Sequence, residues 1–176
     1  MKSLTFITGN LNKVKWTQRY IHIPLEHKKL DLTEIQSLDV YEVVEYKVKE
    51  AYEIVKKPVL VEDTSLVCHA LGKLPGPFIK WFLEELGTEG LCKLINNNRK
   101  ATATVVFGLF DGKNLRMYEG TVDGTIAEKP RGQNGFGWDP IFIPKGQKKT
   151  HGEMTPEEMD KINIRRIALE KMEKDK

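Results

Sequence analysis

The apolar run Val59-Leu60-Val61 closes on two adjacent carboxylates and a hydroxyl, Glu62-Asp63-Thr64. The Gly/Pro-rich stretch Gly72-Lys73-Leu74-Pro75-Gly76-Pro77 follows and opens an aromatic helix that carries Lys80. Acids at the carboxyl end of a parallel-type strand, facing a lysine-bearing helix, suit a site that handles a metal ion and phosphate. A strand ending in solvated acids is the competing reading of the same residues.

Three other segments bear on that choice. Thr8-Gly9-Asn10-Leu11-Asn12-Lys13 places a glycine turn between a strand and a helix, with a lysine in the first helical turn. Free backbone N–H groups and the positive end of the helix dipole suit a phosphate there. Lys13 is a cation at the end of the helix that disfavours cations, unless an anion lies nearby. The spacing is not that of a Walker A loop, and a capped helix with an exposed lysine accounts for the same hexapeptide. Lys47 sits at i+7 from Val40, i+4 from Val43 and i+3 from Val44, on an apolar stripe rather than a wet face. Arg165 lies three residues after Ile162 and four before Leu169, in the same kind of position. A snorkelling side chain explains one such residue. Two inward cations, with Lys13 and Lys80, require compensation, which a polyphosphate would supply; so would structural ion pairs to Glu34, Glu62 and Asp63. Finally, Gly135-Phe136-Gly137-Trp138-Asp139-Pro140 offers glycines that admit a flat ligand, aromatic faces that can stack on a base, and a carboxylate that can accept from a base N–H. Phe136 and Trp138 as core aromatics are the alternative.

The elements that must position these groups follow from periodicity and punctuation. Leu4 to Ile7 reads as a buried strand, and Asn10 as the N-cap of a helix to about Ile21. A second strand is expected from Leu25 to Leu32. Asp39 with Glu42 signals a helix through Val55, whose stripe is Val40, Val43, Val44, Val48, Ala51 and Val55. Lys57-Pro58 stops it, and the strand Val59 to Val61 follows. Phe78, Trp81, Phe82 and Leu86 mark a helix ended by Gly87, and Thr88 caps a short one reaching Asn96. Ala101 to Phe110 and Leu115 to Val122 read as strands joined by an Asp111-Gly112 hairpin, with a further short strand from Thr125 to Ala127. Thr155, Pro156 and Glu158 start a helix expected to run to near Lys174. The mixture predicts an α/β fold with a mixed sheet.

Composition narrows the class. A chain of 176 residues with 40% hydrophobic and 30% charged content is expected to be a single globular domain spanning residues 1–176. The net charge of +3, spread over interspersed charges, argues against a nucleic-acid binder and tolerates an anionic small-molecule substrate. Cys68 and Cys92 form no CxxC pair, and the four histidines have no zinc-ligand spacing. No apolar signal segment precedes the first strand and no run approaches a membrane span, so a cytoplasmic address is expected.

The segments TGNLNK from Thr8, LVEDTSL from Leu60, LPGPFIKWF from Leu74 and GFGWDPIF from Gly135 occur in this order. With them the chain closely resembles the inosine triphosphate pyrophosphatase family over nearly its whole length. The resemblance implies an elongated two-lobed α/β fold with a central mixed, twisted sheet and a cleft. It also implies magnesium, with manganese as a substitute, and a homodimer. The implied reaction turns a non-standard purine nucleoside triphosphate (ITP, dITP or XTP) and water into the monophosphate and pyrophosphate. Carried over by position, Thr8, Gly9, Asn10 and Lys13 would hold the triphosphate, with Lys47, Glu62, Thr64 and Lys80 near it. Glu34 and Asp63 match magnesium carboxylates, Asp63 also the base for the attacking water and Lys13 its catalytic partner. Phe136, Gly137, Trp138, Asp139 and Arg165 match the base pocket. The chain departs from the family where a lysine and a Ser-His-Arg are usual: here stand Met159, Asn163, Ile164 and Arg165, with Lys161 nearby. That departure bears on base selection more than on phosphate chemistry. A pyrophosphatase of altered base specificity and a non-catalytic nucleotide-binding relative are the rival readings.

Overall fold

The computed structural model describes residues 3–175. In chain order the elements are β1 (Leu4–Ile7), α1 (Leu11–Gln18), β2 (Leu25–Lys28), α2 (Val40–Val55), β3 (Val59–Cys68), β4 (Pro75–Gly76), α3 (Ile79–Leu94), β5 (Lys100–Phe110), β6 (Leu115–Ile126), β7 (Phe142–Pro144), α4 (Pro156–Asp160) and α5 (Ile164–Lys174). The strands form one mixed sheet in the order β2-β1-β3-β5-β6-β7, with β4 paired to β3, and helices flank it. β1 runs parallel to both β2 and β3, while β3–β4 and β6–β7 are antiparallel. Among the described residues, no helix is long and apolar enough to cross a membrane.

The chain divides into two compact units. The first comprises the chain up to Asp63, Val105–Gly120 and the chain from Arg165; the second comprises Thr64–Thr104 and Thr121–Ile164. In the first unit, α2 lays its valine stripe on the sheet: Val40, Val44, Val48 and Ala51 pack with Ile7, Val59, Val61 and Val106. Each such valine removed from water stabilises the fold by about 1.5–3 kcal/mol. Asp39 caps this helix by accepting from the Tyr41 N–H, but Glu42 does not complete a capping box; it accepts instead from Ser37 Oγ. The helix stops at Lys56, in the left-handed region at φ 55°, just before Pro58. In the second unit, Leu66, Cys68, Ile79, Leu91, Ala103, Ile141 and Phe142 belong to a separate core.

β5 and α2 approach closely at Gly108, where an added Cβ would stand 2.6 Å from Val44 Cγ1. Gly108→Ala is therefore expected to destabilise the protein by about 1–3 kcal/mol through overpacking. Thermal melts measure this, and an unchanged melting temperature would show that α2 gives way freely.

Several boundaries differ from the sequence expectation, each for a local reason. β3 does not end at Val61 but continues through Cys68, because Leu66 and Val67 pair with Gly76 and Pro75 of β4. α1 closes at Gln18, before Ile21, as Arg19 and Tyr20 donate to Trp16 and Thr17 in tight three-residue turns. β2 stops at Lys28, and Leu30 and Leu32 turn onto the α2 core instead. β6 is continuous to Ile126 rather than two strands, and β7 was not anticipated. α3 keeps the expected break at Gly87, which lies at φ 64° and ψ 179°. The predicted long C-terminal helix is two helices, separated where Ile162 N–H turns back to the Met159 carbonyl.

Candidate active site

Two groups of charges are built on neighbouring residues of β3. In the first, Lys47 Nζ lies 2.6 Å from Asp63 Oδ2 and 3.1 Å from Glu34 Oε1. The helical register that put Lys47 on the apolar stripe is what turns it inward, and its side chain is only 14% exposed. Burial works against the ammonium, but the Asp63 and Glu34 charges outweigh that and raise the Lys47 pKa above its ordinary value. Glu34 stands in a segment without regular structure, 49% exposed at its side chain. That segment is moored by Thr33, whose N–H and hydroxyl donate to the two Glu50 carboxylate oxygens at 2.8 and 3.0 Å.

In the second group Glu62, its side chain fully buried, accepts from Arg165 Nε at 3.0 Å and from Nη2 at 2.7 Å. Lys13 Nζ approaches the same carboxylate at 3.3 Å. Burial alone would push the Glu62 pKa up, but Arg165 and Lys13 reverse this and hold it below the usual carboxylate value. Lys13 thus has an anion at the helix end that disfavours a cation. The first turn of α1 is also less open than the sequence suggested. Asn10 Oδ1 accepts from the Asn12 and Lys13 N–H groups at 2.9 and 3.4 Å, and Asn10 N–H donates to Thr8 Oγ1 at 3.1 Å. The expectation of free amides there is corrected for Asn12 and Lys13, which the cap occupies. The side chains of Thr8, Asn10 and Lys13 remain at the mouth of the β1–α1 turn, beside Gly9.

Adjacent strand residues face opposite sides of a sheet, so Glu62 and Asp63 direct the two groups to opposite faces of β3. What joins them is the end of β1. Phe6 pairs with Leu60, and continuing that register sets Ile7, the last residue of β1, against Val61. Glu62 and Asp63 therefore lie just beyond the carboxyl end of their parallel neighbour. That is where open parallel sheets leave a crevice for ligands. Strand β3 runs on past the acids, but the local geometry anticipated for them is supplied by the end of β1.

The remaining sequence candidates lie in the other unit. Thr64 is buried in β3, and Lys80 is exposed on α3 with its Nζ 4.6 Å from the Trp81 ring centroid. Trp138 packs against the Leu66–Phe142 core, which favours the structural alternative for that ring. Phe136 is half-buried. The carboxylate of Asp139 is oriented by two donors: Phe136 N–H reaches Oδ2 at 2.7 Å and His151 Nδ1 lies 3.2 Å from Oδ1. Gly135, at φ 76°, has no room for a Cβ because the Asp139 carboxylate covers it.

The loop is clasped from outside by the segment around His151. Gly152 N–H donates to the Asp139 carbonyl at 2.8 Å, Asn134 N–H to the Gly152 carbonyl at 3.0 Å, and Asn134 Nδ2 to the Met154 carbonyl at 2.8 Å. Thr33, Glu50, Asn134 and His151 escaped the sequence reading. Each acts through a partner distant in sequence, and no local spacing announces that. Met159, Asn163 and Ile164 are buried, whereas Lys161 is exposed at the end of α4.

A family model described as the Ham1 family matches residues 4–175. The chain is 46% identical over 172 residues to inosine triphosphate pyrophosphatase 2 of Trypanosoma cruzi, covering 94% of this chain and 88% of that protein. It is 42% identical over 178 residues to inosine triphosphate pyrophosphatase of Schizosaccharomyces pombe, covering 98% and 94%. Among solved structures, a HAM1 protein from Coxiella burnetii superposes with a TM-score of 0.87 at 25% identity, covering 99% of this chain and 98% of that one.

Proposed function

The chain belongs to the Ham1 family, and from that premise we propose that it hydrolyses non-standard purine nucleoside triphosphates (ITP, dITP and XTP) to the monophosphate and pyrophosphate. The observation that carries the reading is the convergence of Asp63 and Glu34 on one point, the Lys47 ammonium, at 2.6 and 3.1 Å. Two hard oxygen donors beside a lysine suit a small divalent cation that takes one or two carboxylates and completes its shell with phosphate oxygens and water. Among the described residues no group of three potential ligands forms a self-sufficient cage, which fits an ion that shares the substrate. In this reading Glu34 and Asp63 hold magnesium, with manganese able to replace it. When bound, the ion would neutralise triphosphate charge.

The chain's own residues do the rest. Lys13 and Lys47 supply fixed positive charge for the phosphates, with Thr8 and Asn10 alongside. Asp63 takes a proton from a water molecule as its oxygen bonds to the α-phosphorus; the bond from that phosphorus to the bridging oxygen breaks, and pyrophosphate leaves. Positioning and electrostatics dominate such a displacement, so no nucleophilic side chain is needed. Arg165 is held on Glu62 through Nε and Nη2. We assign it to fixing Glu62, and through it Lys13, rather than to the base.

For the base, keto purines present an N1–H donor where adenine presents a bare acceptor. Asp139, an acceptor, selects the former. Met159 and Ile164 are buried apolar side chains that offer no donor to a base, and they favour a second reading, a pyrophosphatase of relaxed base selection. The same proposal includes a cytoplasmic homodimer, for which exposed Trp81, Leu86 and Leu94 of α3 offer apolar surface. A panel of ITP, XTP, dITP, GTP and ATP with magnesium, scored by pyrophosphate and monophosphate release, tests the function. We expect ITP and XTP to lead with GTP discriminated weakly; monophosphate without pyrophosphate, or no turnover of any triphosphate, would overturn the proposal.

A further inference from the structure

His151 is a buried histidine with one partner and one idle nitrogen. Its side chain is 9% exposed and its ring centroid lies 5.3 Å from that of Phe142; Nδ1 sits 3.2 Å from Asp139 Oδ1. Nε2 is buried and has no hydrogen-bond partner among the described residues. A phenyl ring would fill the same space beside Phe142 without stranding a nitrogen, so packing alone is a poor reason for a histidine here. What the imidazole adds is a donor for Asp139. With the proton on Nδ1, the ring donates to Oδ1 and leaves only an acceptor lone pair unsatisfied on Nε2. The other tautomer would set a lone pair against the carboxylate and bury an unpaired N–H.

We infer that His151 is the positioning residue for the Asp139 carboxylate and, through it, a determinant of base selection. Together with the Phe136 N–H on Oδ2, it fixes both carboxylate oxygens, so the remaining lone pairs have one set of directions to offer a purine N1–H. The backbone that carries the ring is held on both sides: Thr150 Oγ1 donates to the Arg131 carbonyl at 2.8 Å, and Gly152 N–H donates to the Asp139 carbonyl at 2.8 Å. A Cβ on Gly152 would meet the Arg131 carbonyl oxygen at 2.6 Å and Pro140 Cα at 2.9 Å, so the backbone approach that delivers His151 requires glycine there. The inference rests on the reading of Asp139 as the base acceptor.

Steady-state pyrophosphate release from ITP and from ATP, with magnesium, tests it in four variants. His151→Phe keeps the ring and removes the donor; KM for ITP should rise about ten- to a hundredfold with the ATP constants and kcat little changed, so that the ITP-to-ATP preference collapses. His151→Asn places an amide N–H near the Nδ1 position and should restore most of the preference. His151→Gln reaches toward the Nε2 position instead, stays polar, and should behave like His151→Phe. Asp139→Asn isolates the underlying reading, because it should erase the preference whatever occupies position 151. Melting curves are taken throughout, and assays are run below the lowest melting temperature. A parental preference in His151→Phe, or equal losses on ITP and ATP, overturns the role of His151 if Asp139→Asn still erases the preference. A parental preference in Asp139→Asn overturns the base reading itself.

Discussion

Asp63→Asn is expected to lower turnover of ITP about a hundred- to ten-thousandfold, the range in which a positioned general base contributes. The substitution keeps the volume of the side chain and one oxygen for Lys47, so the local contact at 2.6 Å has a neutral replacement and the fold should persist. What disappears is the group that can take a proton, together with one of two negative charges facing the Lys47 ammonium. The loss should therefore fall on kcat. Because Asp63 is also one of the two carboxylates proposed to hold magnesium, the magnesium concentration for half-maximal activity should rise, and KM for ITP is compared at saturating magnesium. The Lys47 pKa, now raised despite burial by Asp63 first and Glu34 second, should move back down, so activity that survives should fade at a lower pH on the alkaline side. Steady-state assays across pH read both effects. Turnover within about threefold of the parent would remove Asp63 from the chemistry.

How much of this was legible beforehand depends on whether a residue declares itself locally. Asn10 and Asp39 did, because a helix start is written within four residues; both are the observed caps. Lys47 declared itself by violating a pattern: a cation on a valine stripe must be paid for by something inside, and Asp63 and Glu34 are there. Arg165 was flagged for the same reason, and Glu62 stood among three carboxylates that could answer the inward cations, but it lies 103 positions away and no local spacing singled it out as this one's partner. The end of β3 was misread because charged residues in mid-strand look like a terminus. Their tolerance depends on β1 stopping at Ile7, a fact of pairing and not of composition. The clasp around Asp139 was illegible for the same reason. Asn134, His151 and Gly152 acquire meaning only when two loops meet, and a lone histidine between Thr150 and Gly152 carries no signal by itself.

Glu62→Gln is expected to damage the protein through stability before it touches turnover. The carboxylate is fully buried and neutralises two cations, Arg165 at 2.7 Å and Lys13 at 3.3 Å. An amide of the same shape leaves the Arg165 charge buried with no counter-charge on that residue; breaking a buried pair from one side costs about 3–5 kcal/mol. For a chain of this size that is roughly a 6–20 °C fall in melting temperature. The acid limb of the stability curve supplies a second, independent signature. Arg165 and Lys13 together overcome burial and hold the Glu62 pKa below its ordinary value of 4.5. Its folded value is thus depressed, so its contribution is fully present above about pH 4.5 and is lost as pH falls through the lower, folded value. Glu62→Gln should flatten that part of the curve, whereas an unrelated destabilising substitution of equal size would shift the curve without changing its slope. Adding Arg165→Leu to Glu62→Gln should recover part of the loss, because an apolar side chain has no charge to strand and Lys13, 18% exposed, can turn to water. Recovery without activity is the expected outcome for the pair, since Lys13 would then be held by nothing on the buried side. If Glu62→Gln melts within a degree or two of the parent with its acid limb intact, the buried ion group is not what fixes Lys13 beside β1.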